Sequence, residues 1–495
     1  MNGEADEFDV IVVGGGPGGS AVAALVAARG HRVLLLEREH FPRYQIGESL
    51  LPSTVHGVCK LLGVSEKLAE AGFTPKRGGT FLWGKNPEPW TFAFAASDVF
   101  AGPTSIAYQV ERMKFDQILL DNARDKGVDV REGCHVVGVI EEDGRVRGVR
   151  YGDGDGARTE ARARFVVDAS GNKSTIHNSV GGARHYSEFF RNLALFGYFE
   201  GGKRLPAPNS GNILCAAFDA GWFWYIPLSD TLTSVGAVIR HDALDLVRGD
   251  KEEVLSSLIA QCPLIAENLS QARRVRTGPY GEIRTRKDYS YCRDVFWKPG
   301  MVLVGDAACF IDPVFSSGVH LATYSALLAA RSINTVLAGE GIDERECFQE
   351  FEARYRREYG LFHDFLVSFY DTHHDSESYF WSAKKVTRSD APGLQSFVEL
   401  VGGGASREQG LVATDAYSEE QRDSRRRELS ELVRRGAGAD GGDAALFESE
   451  FVESVLEEGA RIQVQAALGD AVDEDPIRDG GLVPSTDGMH WAREA

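Results

Sequence analysis

Cysteine is sparse and unclustered in this sequence: seven residues, an odd number, with no CxxC spacing among them. That excludes a disulfide framework and the common cysteine-rich zinc sites, and it fits reduced thiols in a cytoplasm; no metal is expected. Positive charge is short as well, with 54 Lys and Arg against 73 Asp and Glu, a formal net charge of −19. Nucleic acid and anionic membrane surfaces would repel such a chain, so neither is expected as a partner. Long hydrophobic runs are missing too. The best candidate, FDVIVVGGGPGG at residues 8–19, is too short to span a bilayer and follows no basic leader. No internal repeat stands out. What remains is the composition of a soluble, cytoplasmic globular protein, 43% hydrophobic and 26% charged. Its 495 residues suffice for two or three structural units.

Residues 8–13, FDVIVV, have the β-branched composition of a buried strand. GGGPGGSAVAALVAARG then reads as a glycine turn and an Ala-rich helix closing at Gly30, and HRVLLLER as a second strand. This βαβ unit places Gly14, Gly16 and Gly19, a GxGxxG, between strand and helix, with Glu37 closing the second strand. Glycines there let a backbone approach a pyrophosphate, the helix start supplies amide donors, and the acid can accept from a ribose. Further on, residues 114–126 have helical spacing, and 128–171 alternate like a β-meander. A strand-rich stretch covers about 186–240, and MVLVGDAACFIDPVFSSGVHL reads as strand, loop and long helix. From about 346 the pattern is helical and charge-rich, with a flexible link at 436–444 and an acidic tail at 470–495.

Three scattered segments resemble the FAD contacts of glutathione-reductase-type flavoproteins: QVERMKFDQILLDNA with Arg112, VLVGDAA with Asp306, and DASG at 168–171. The resemblance implies that Asp306 holds the ribityl chain and Arg112 a phosphate, with Arg43 also on the cofactor. The expected fold class is α/β: a glutathione-reductase-type FAD-binding fold with an inserted β-sheet substrate domain and a helical C-terminal region. The FAD domain is expected at 1–183 and 273–345, the insertion at 184–272 and the helical region at 346–495. Flavin hydroxylases that hold their own nicotinamide carry DGxxSxxR. Here DASGNKSTIH has His177 at the arginine position, and no second GxGxxG follows. Reduced flavin is therefore expected from a separate NAD(P)H-dependent flavin reductase.

GWFWYIP at 221–227 contains WxWxIP, and the chain up to about residue 390 resembles the flavin-dependent halogenases. FPRYQIGESLLPSTVHG, PKRGGTFLWGK, GDAACFIDPVFSSGVHLATYSALL and SYFWSAKK resemble in particular the branch acting on phenols tethered to carrier proteins. That resemblance implies that reduced FAD and oxygen oxidise chloride to hypochlorous acid, which must reach the substrate ring without being lost to water. It implies Lys76, five residues before Phe81, as the group that delivers the oxidant, either as an ammonium donor or as a free amine. A solvated strand-edge lysine is the commoner fate of this residue type, and Lys85 is the fallback. By the same resemblance Ser316 lies near the lysine, and the amides of Ser317 and Gly318 contact the halide. A plain helix cap would use the same residue types. Trp222 and Trp224 are implied as a barrier between flavin and substrate. Phe315 stands where the tryptophan-halogenating branch carries a glutamate. An apolar residue cannot take the ring proton, so an electron-rich phenol is expected as substrate.

A peptidyl carrier protein is the implied partner. Arg354, Arg356 and Arg357, or Arg425, Arg426 and Arg427, could form its docking patch, although a solvated helix face explains such clusters as well. The competing function is a flavin monooxygenase that hydroxylates the phenol, which independence from chloride would reveal. A geranylgeranyl-type reductase shares a DASG-like segment but needs no WxWxIP. A flavin-binding protein with lost catalysis is at odds with the intact Lys76, SSG segment and tryptophans.

Overall fold

The computed structural model describes residues 7–83, 88–100, 102–152, 158–339, 341–371, 393–405 and 481–493. The expected link at 436–444, the second arginine cluster, the SYFWSAKK segment and Lys85 lie outside these residues.

Strand Glu7–Val13 belongs to an eight-stranded sheet. It pairs in parallel with Val33–Leu36 on one side and Arg158–Asp168 on the other, and Met301–Leu303 extends the sheet beyond the latter. Val10, Ile11 and Val12 are fully enclosed, as an unbroken apolar run requires of a parallel strand covered on both faces. Parallel pairing brings the C-terminal ends of these strands to one edge. The loops at Gly14, Ala169 and Gly305 therefore meet there. Helix Pro17–Ala27 leaves this edge and packs against the long helix Ser317–Ala338. Gly19 permits the tight start: a Cβ there would sit 1.9 Å from the Gly14 carbonyl oxygen.

The second sheet has nine strands and is wider than the insertion expected at 184–272. Arg184–Glu200, Ile213–Phe218, Gly221–Pro227 and Leu232–Ile239 form its middle. Gly78–Leu82 and Trp90–Ala93 are added from before residue 183, and Arg284–Arg293 and Cys309–Phe310 from after 272. Strands from before 184 and after 272 are thus hydrogen-bonded into the same sheet as those of the expected insertion. Period-two alternation sorts Gly221–Pro227 cleanly: Trp222, Trp224 and Ile226 join the main core, while Phe223 and Tyr225 join a second cluster. Val254, Leu255 and Leu258 of helix Lys251–Ala260 close that second cluster.

The C-terminal region is helical where described, with Glu344–Asp371 and Gly393–Val401. The last described residues, within the expected acidic tail, are strands. Leu482–Pro484 and Trp491–Arg493 form an antiparallel hairpin docked on the core. Trp491 is 2% exposed; its indole donates to Ser332 Oγ at 2.9 Å and lies between the guanidinium groups of Arg331 and Arg354, 5.3 and 5.2 Å from them. Arg354 also bonds the Leu482 carbonyl at 3.0 Å. Trp491→Ala is expected to cost about 3–5 kcal/mol of stability, read as a lowered urea midpoint, which an unstructured tail would not show.

Candidate active site

A cavity of about 630 Å³ opens along the edge where the parallel strands end. The glycine turn forms one wall. Gly14 has φ +103°, and a Cβ there would meet the Ala169 carbonyl oxygen at 2.6 Å. Glu37 borders the cavity and braces the turn, its carboxylate accepting from Gly15 N at 2.6 Å and Glu39 N at 2.9 Å. Arg43 and Arg112 line the same space and share one buried carboxylate. Asp116 takes Arg43 at 2.9 Å and both Nε and Nη2 of Arg112, at 2.7 and 2.9 Å. Sequence reasoning missed Asp116, although its position one helical turn after Arg112 is a signal for an ion pair. Asp116→Ala would strand two largely buried guanidinium groups and is expected to cost on the order of 3–5 kcal/mol. A thermal melt and a flavin titration would record the loss together.

Asp306 borders the cavity at the end of Met301–Leu303, and burial raises its carboxyl above the ordinary range. Backbone approach at the glycines, an acid at Glu37, two held arginines and an acid at Asp306 suit a dinucleotide with a ribityl chain. Beyond them the cavity reaches Trp222, Trp224, Ile226, Ser316 and Gly318.

Trp222 and Trp224 lie side by side with ring centroids 6.3 Å apart, 2% and 6% exposed. Trp224 donates to Ser234 Oγ at 3.1 Å, whereas Trp222 Nε1 has no partner among the described residues. Gly236, opposite Trp224, makes room for the indole: a Cβ there would lie 2.3 Å from Trp224 and 2.5 Å from Phe196. Strand register continues the row through Cys215 and Phe81 to Trp90.

Lys76 is 3% exposed and does not border the cavity. Its ammonium donates to the Leu50 carbonyl at 3.0 Å, the sole hydrogen bond it makes among the described residues, and lies 5.4 Å from the Phe94 ring centroid. Burial pulls its pKa down to about 7, and the Cys215 sulfur is near enough to act on it in the opposite direction. Leu50 and Cys215 carry no sequence signal for this role; only the fold brings them to the lysine.

Ser316 adopts the left-handed conformation, φ +61°, and begins the helix Ser317–Ala338 without a side-chain cap. Ser317 is fully buried, and its hydroxyl has no partner among the described residues. Phe315 is 4% exposed and packs on Phe81, Phe365, Phe369 and Phe397, at centroid distances of 4.8 to 6.3 Å. The C-terminal helices thus cover this side of the sheet with aromatic rings.

The first arginine cluster is not a basic patch. Arg354 is 2% exposed and ion-paired to Glu350 at 2.7 Å, and Arg356 is held by Glu352 at 2.6 Å, leaving Arg357 exposed. Among the described residues no cluster of His, Cys, Asp and Glu could hold a metal ion. No described helix is long and apolar enough to cross a membrane.

A family model described as tryptophan halogenase matches residues 9–100 and 97–423. The tryptophan 2-halogenase of Chondromyces crocatus is 34% identical over 384 residues, which cover 77% of this chain and 71% of that protein. Among solved structures, the myxobacterial FAD-dependent chondrochloren halogenase CndH is 53% identical, with 98% of this chain and 100% of that chain covered and a TM-score of 0.75. The flavin-dependent halogenase CmlS is 30% identical, covering 99% of this chain and 84% of its own, with a TM-score of 0.73.

Proposed function

The chain belongs to the tryptophan halogenase family of flavin-dependent enzymes, and we propose that it chlorinates a tyrosine-like phenol held on a peptidyl carrier protein. FAD would be held by Gly14, Gly16, Gly19, Glu37, Arg43, Arg112 and Asp306. Reduced by a separate NAD(P)H-dependent flavin reductase, it supplies with oxygen the two-electron oxidation of chloride to hypochlorous acid. His177 at the arginine position of DGxxSxxR supports an external reductant.

Chloride would rest on the amides of Ser317 and Gly318, at a helix start with no side-chain cap, where the helix dipole favours an anion. Trp222 and Trp224 exclude water and substrate from the flavin side. Lys76, with Ser316 near it, holds the hypochlorous acid beside the phenol ring. There the ring carbon takes chlorine, and the ring proton leaves with the hydroxide as water. Phe315 offers no base for that proton, which favours a phenol, whose own oxygen activates the ortho carbon. The observation that carries the reading is the enclosed Lys76, with a depressed pKa and a single backbone partner, beside the strand row of Trp224.

The test is a mass measurement. Carrier-loaded tyrosine or β-tyrosine, enzyme, reductase, FAD and oxygen should give the chlorine isotope pair only when chloride is present. Hydroxylated product without chloride would establish the monooxygenase instead. Free tyrosine should react far more slowly than the tethered form; equal rates would remove the carrier protein from the scheme.

A further inference from the structure

Strand Arg284–Arg293 runs antiparallel to the two-residue strand Cys309–Phe310, and their register sets Cys292 directly opposite Cys309. Arg293 N donates to the Ala308 carbonyl at 3.1 Å, a bond that flanks the two cysteines and does not join them. They therefore occupy a non-hydrogen-bonded position, where Cα atoms lie about 4.5 Å apart and opposed side chains come closest. A disulfide accepts Cα separations of about 4.4–6.8 Å, so a bridge can close here with little backbone movement. Opposed residues also share one face of the sheet. Cys309 belongs to the main core and Cys292 packs against it, both as free thiols. Tyr291 and Phe310 form the next pair, on the other face, with ring centroids 6.1 Å apart, and Phe310 borders the flavin cavity.

The two thiols differ in access. Of the seven cysteines six are buried, and Cys292 alone is half-buried. Arg356 Nη1, from helix Glu344–Asp371, donates to Cys292 Sγ at 3.5 Å. Burial raises the Cys292 thiol above its ordinary range against that Arg356 charge, with Glu352 and Asp294 acting alongside the burial. Burial lifts the Cys309 thiol well above its range, and the Cys292 sulfur is near enough to add to the rise. Tyr355 and Tyr359 of the same helix face the pair. An oxidant arriving from solution thus meets Cys292 first, with Cys309 enclosed behind it.

The proposed function, on which this inference rests for its oxidant, makes hypochlorous acid that leaves the enzyme whenever no ring is present to take the chlorine. We propose that Cys292 and Cys309 are a redox-active dithiol that captures this escaping hypochlorous acid and closes to a disulfide. The Cys292 sulfur takes the chlorine, and the hydroxide leaves as water with the thiol proton. The Cys309 sulfur then displaces chloride from Cys292 and gives up its own proton. Two thiols and one hypochlorous acid become one disulfide, one water, one chloride and one proton; the sulfurs lose two electrons and the chlorine gains them. A thiol reductant restores the pair, so the capture is reversible where oxidation of a lone cysteine can run on to sulfinic acid.

The test treats the full chain, without flavin or turnover, with one equivalent of hypochlorous acid and reads intact mass and a peptide map. The wild type should lose two hydrogen atoms, yield a cross-linked peptide joining Cys292 to Cys309, and regain its mass with dithiothreitol. Cys309→Ser should stop at a sulfenic acid on Cys292, which dimedone traps. Cys292→Ser should leave Cys309 reduced. A cross-link between other cysteines, or oxidation elsewhere with both thiols still reduced, would overturn the proposal, and the wild-type map decides this even if a variant fails to fold. In a second arm, reduced FAD, oxygen and catalase are supplied without phenol. The bridge should form with chloride and not without it, because a largely protonated thiol reacts slowly with any residual peroxide. If the reagent closes the bridge and turnover with chloride does not, the halogenase reading fails while the dithiol stands.

Discussion

Lys76→Met is expected to abolish halogen incorporation and, at the same time, to make the protein more stable. The first effect follows from the proposed role: methionine fills the site but offers no N–H to hypochlorous acid and no amine to carry chlorine. A loss of about 10²–10⁴-fold in product is expected, the range of a positioned proton donor or nucleophile. Reduced FAD should still be consumed. The second effect follows from burial. Each displaced pKa unit is about 1.4 kcal/mol, so the fall from 10.5 to about 7 is a native-state cost on the order of 5 kcal/mol at low pH. Between about pH 7 and 10.5 the unfolded chain binds the proton and the folded chain does not, so wild-type stability rises with pH across that window. In Lys76→Met that slope should disappear and the urea midpoint at neutral pH should rise. A lysine kept for structure would show the opposite, a loss of stability.

The same titration separates the two delivery chemistries. If the ammonium holds hypochlorous acid by donation, halogenated product per reduced FAD consumed falls as pH climbs through about 7. If the free amine is chlorinated first, the yield climbs instead. Coupling, rather than overall rate, is the quantity to follow, because it isolates transfer to the ring from the preceding oxidation of the flavin. We expect the fall, since Leu50 occupies one ammonium proton and leaves two for the oxidant.

Much of this site is legible along the chain because its signals are local. The glycine turn at Gly14–Gly19, the paired tryptophans and the long helix after Ser316 each lie within one turn or one strand. Periodicity places them without knowledge of their neighbours, and WxWxIP carries the family resemblance that the comparisons bear out. What escapes is set by register between distant segments. Tyr44 and Tyr198 meet across 154 residues, and Lys76 reaches Leu50 across 26. Gly236 reads as an ordinary strand glycine until Trp224 is placed opposite it. The width of the second sheet escapes for a related reason: parallel pairing of Ile213–Phe218 with Gly78–Leu82 leaves no mark in either segment alone. The terminal hairpin was obscured differently. Acidic composition dominates the approach to it, while Asp487-Gly488, a turn pair between Leu482 and Trp491, is a signal that could have found it.

Trp222→Ala is expected to lower halogenated product per reduced FAD consumed about tenfold, with hydrogen peroxide and hydroxylated product rising in its place. The indole stands between the flavin cavity, which it borders, and Trp83, whose ring centroid is 6.2 Å away. Trp83 in turn packs on Phe369, at 4.7 Å, within the ring cluster around Phe315. Removing the indole therefore opens the flavin side toward the aromatic side. Stability alone cannot decide the matter, since deleting any buried indole costs about 3–5 kcal/mol. Trp222→Phe separates the two roles. Among the described residues Trp222 Nε1 has no partner, so phenylalanine gives up no hydrogen bond seen there and keeps an aromatic plate in place. If the residue is a barrier, Trp222→Phe stays coupled while Trp222→Ala leaks. If it is only a core strut, both variants lose stability in proportion to the volume removed, and product per reduced FAD stays at the wild-type value.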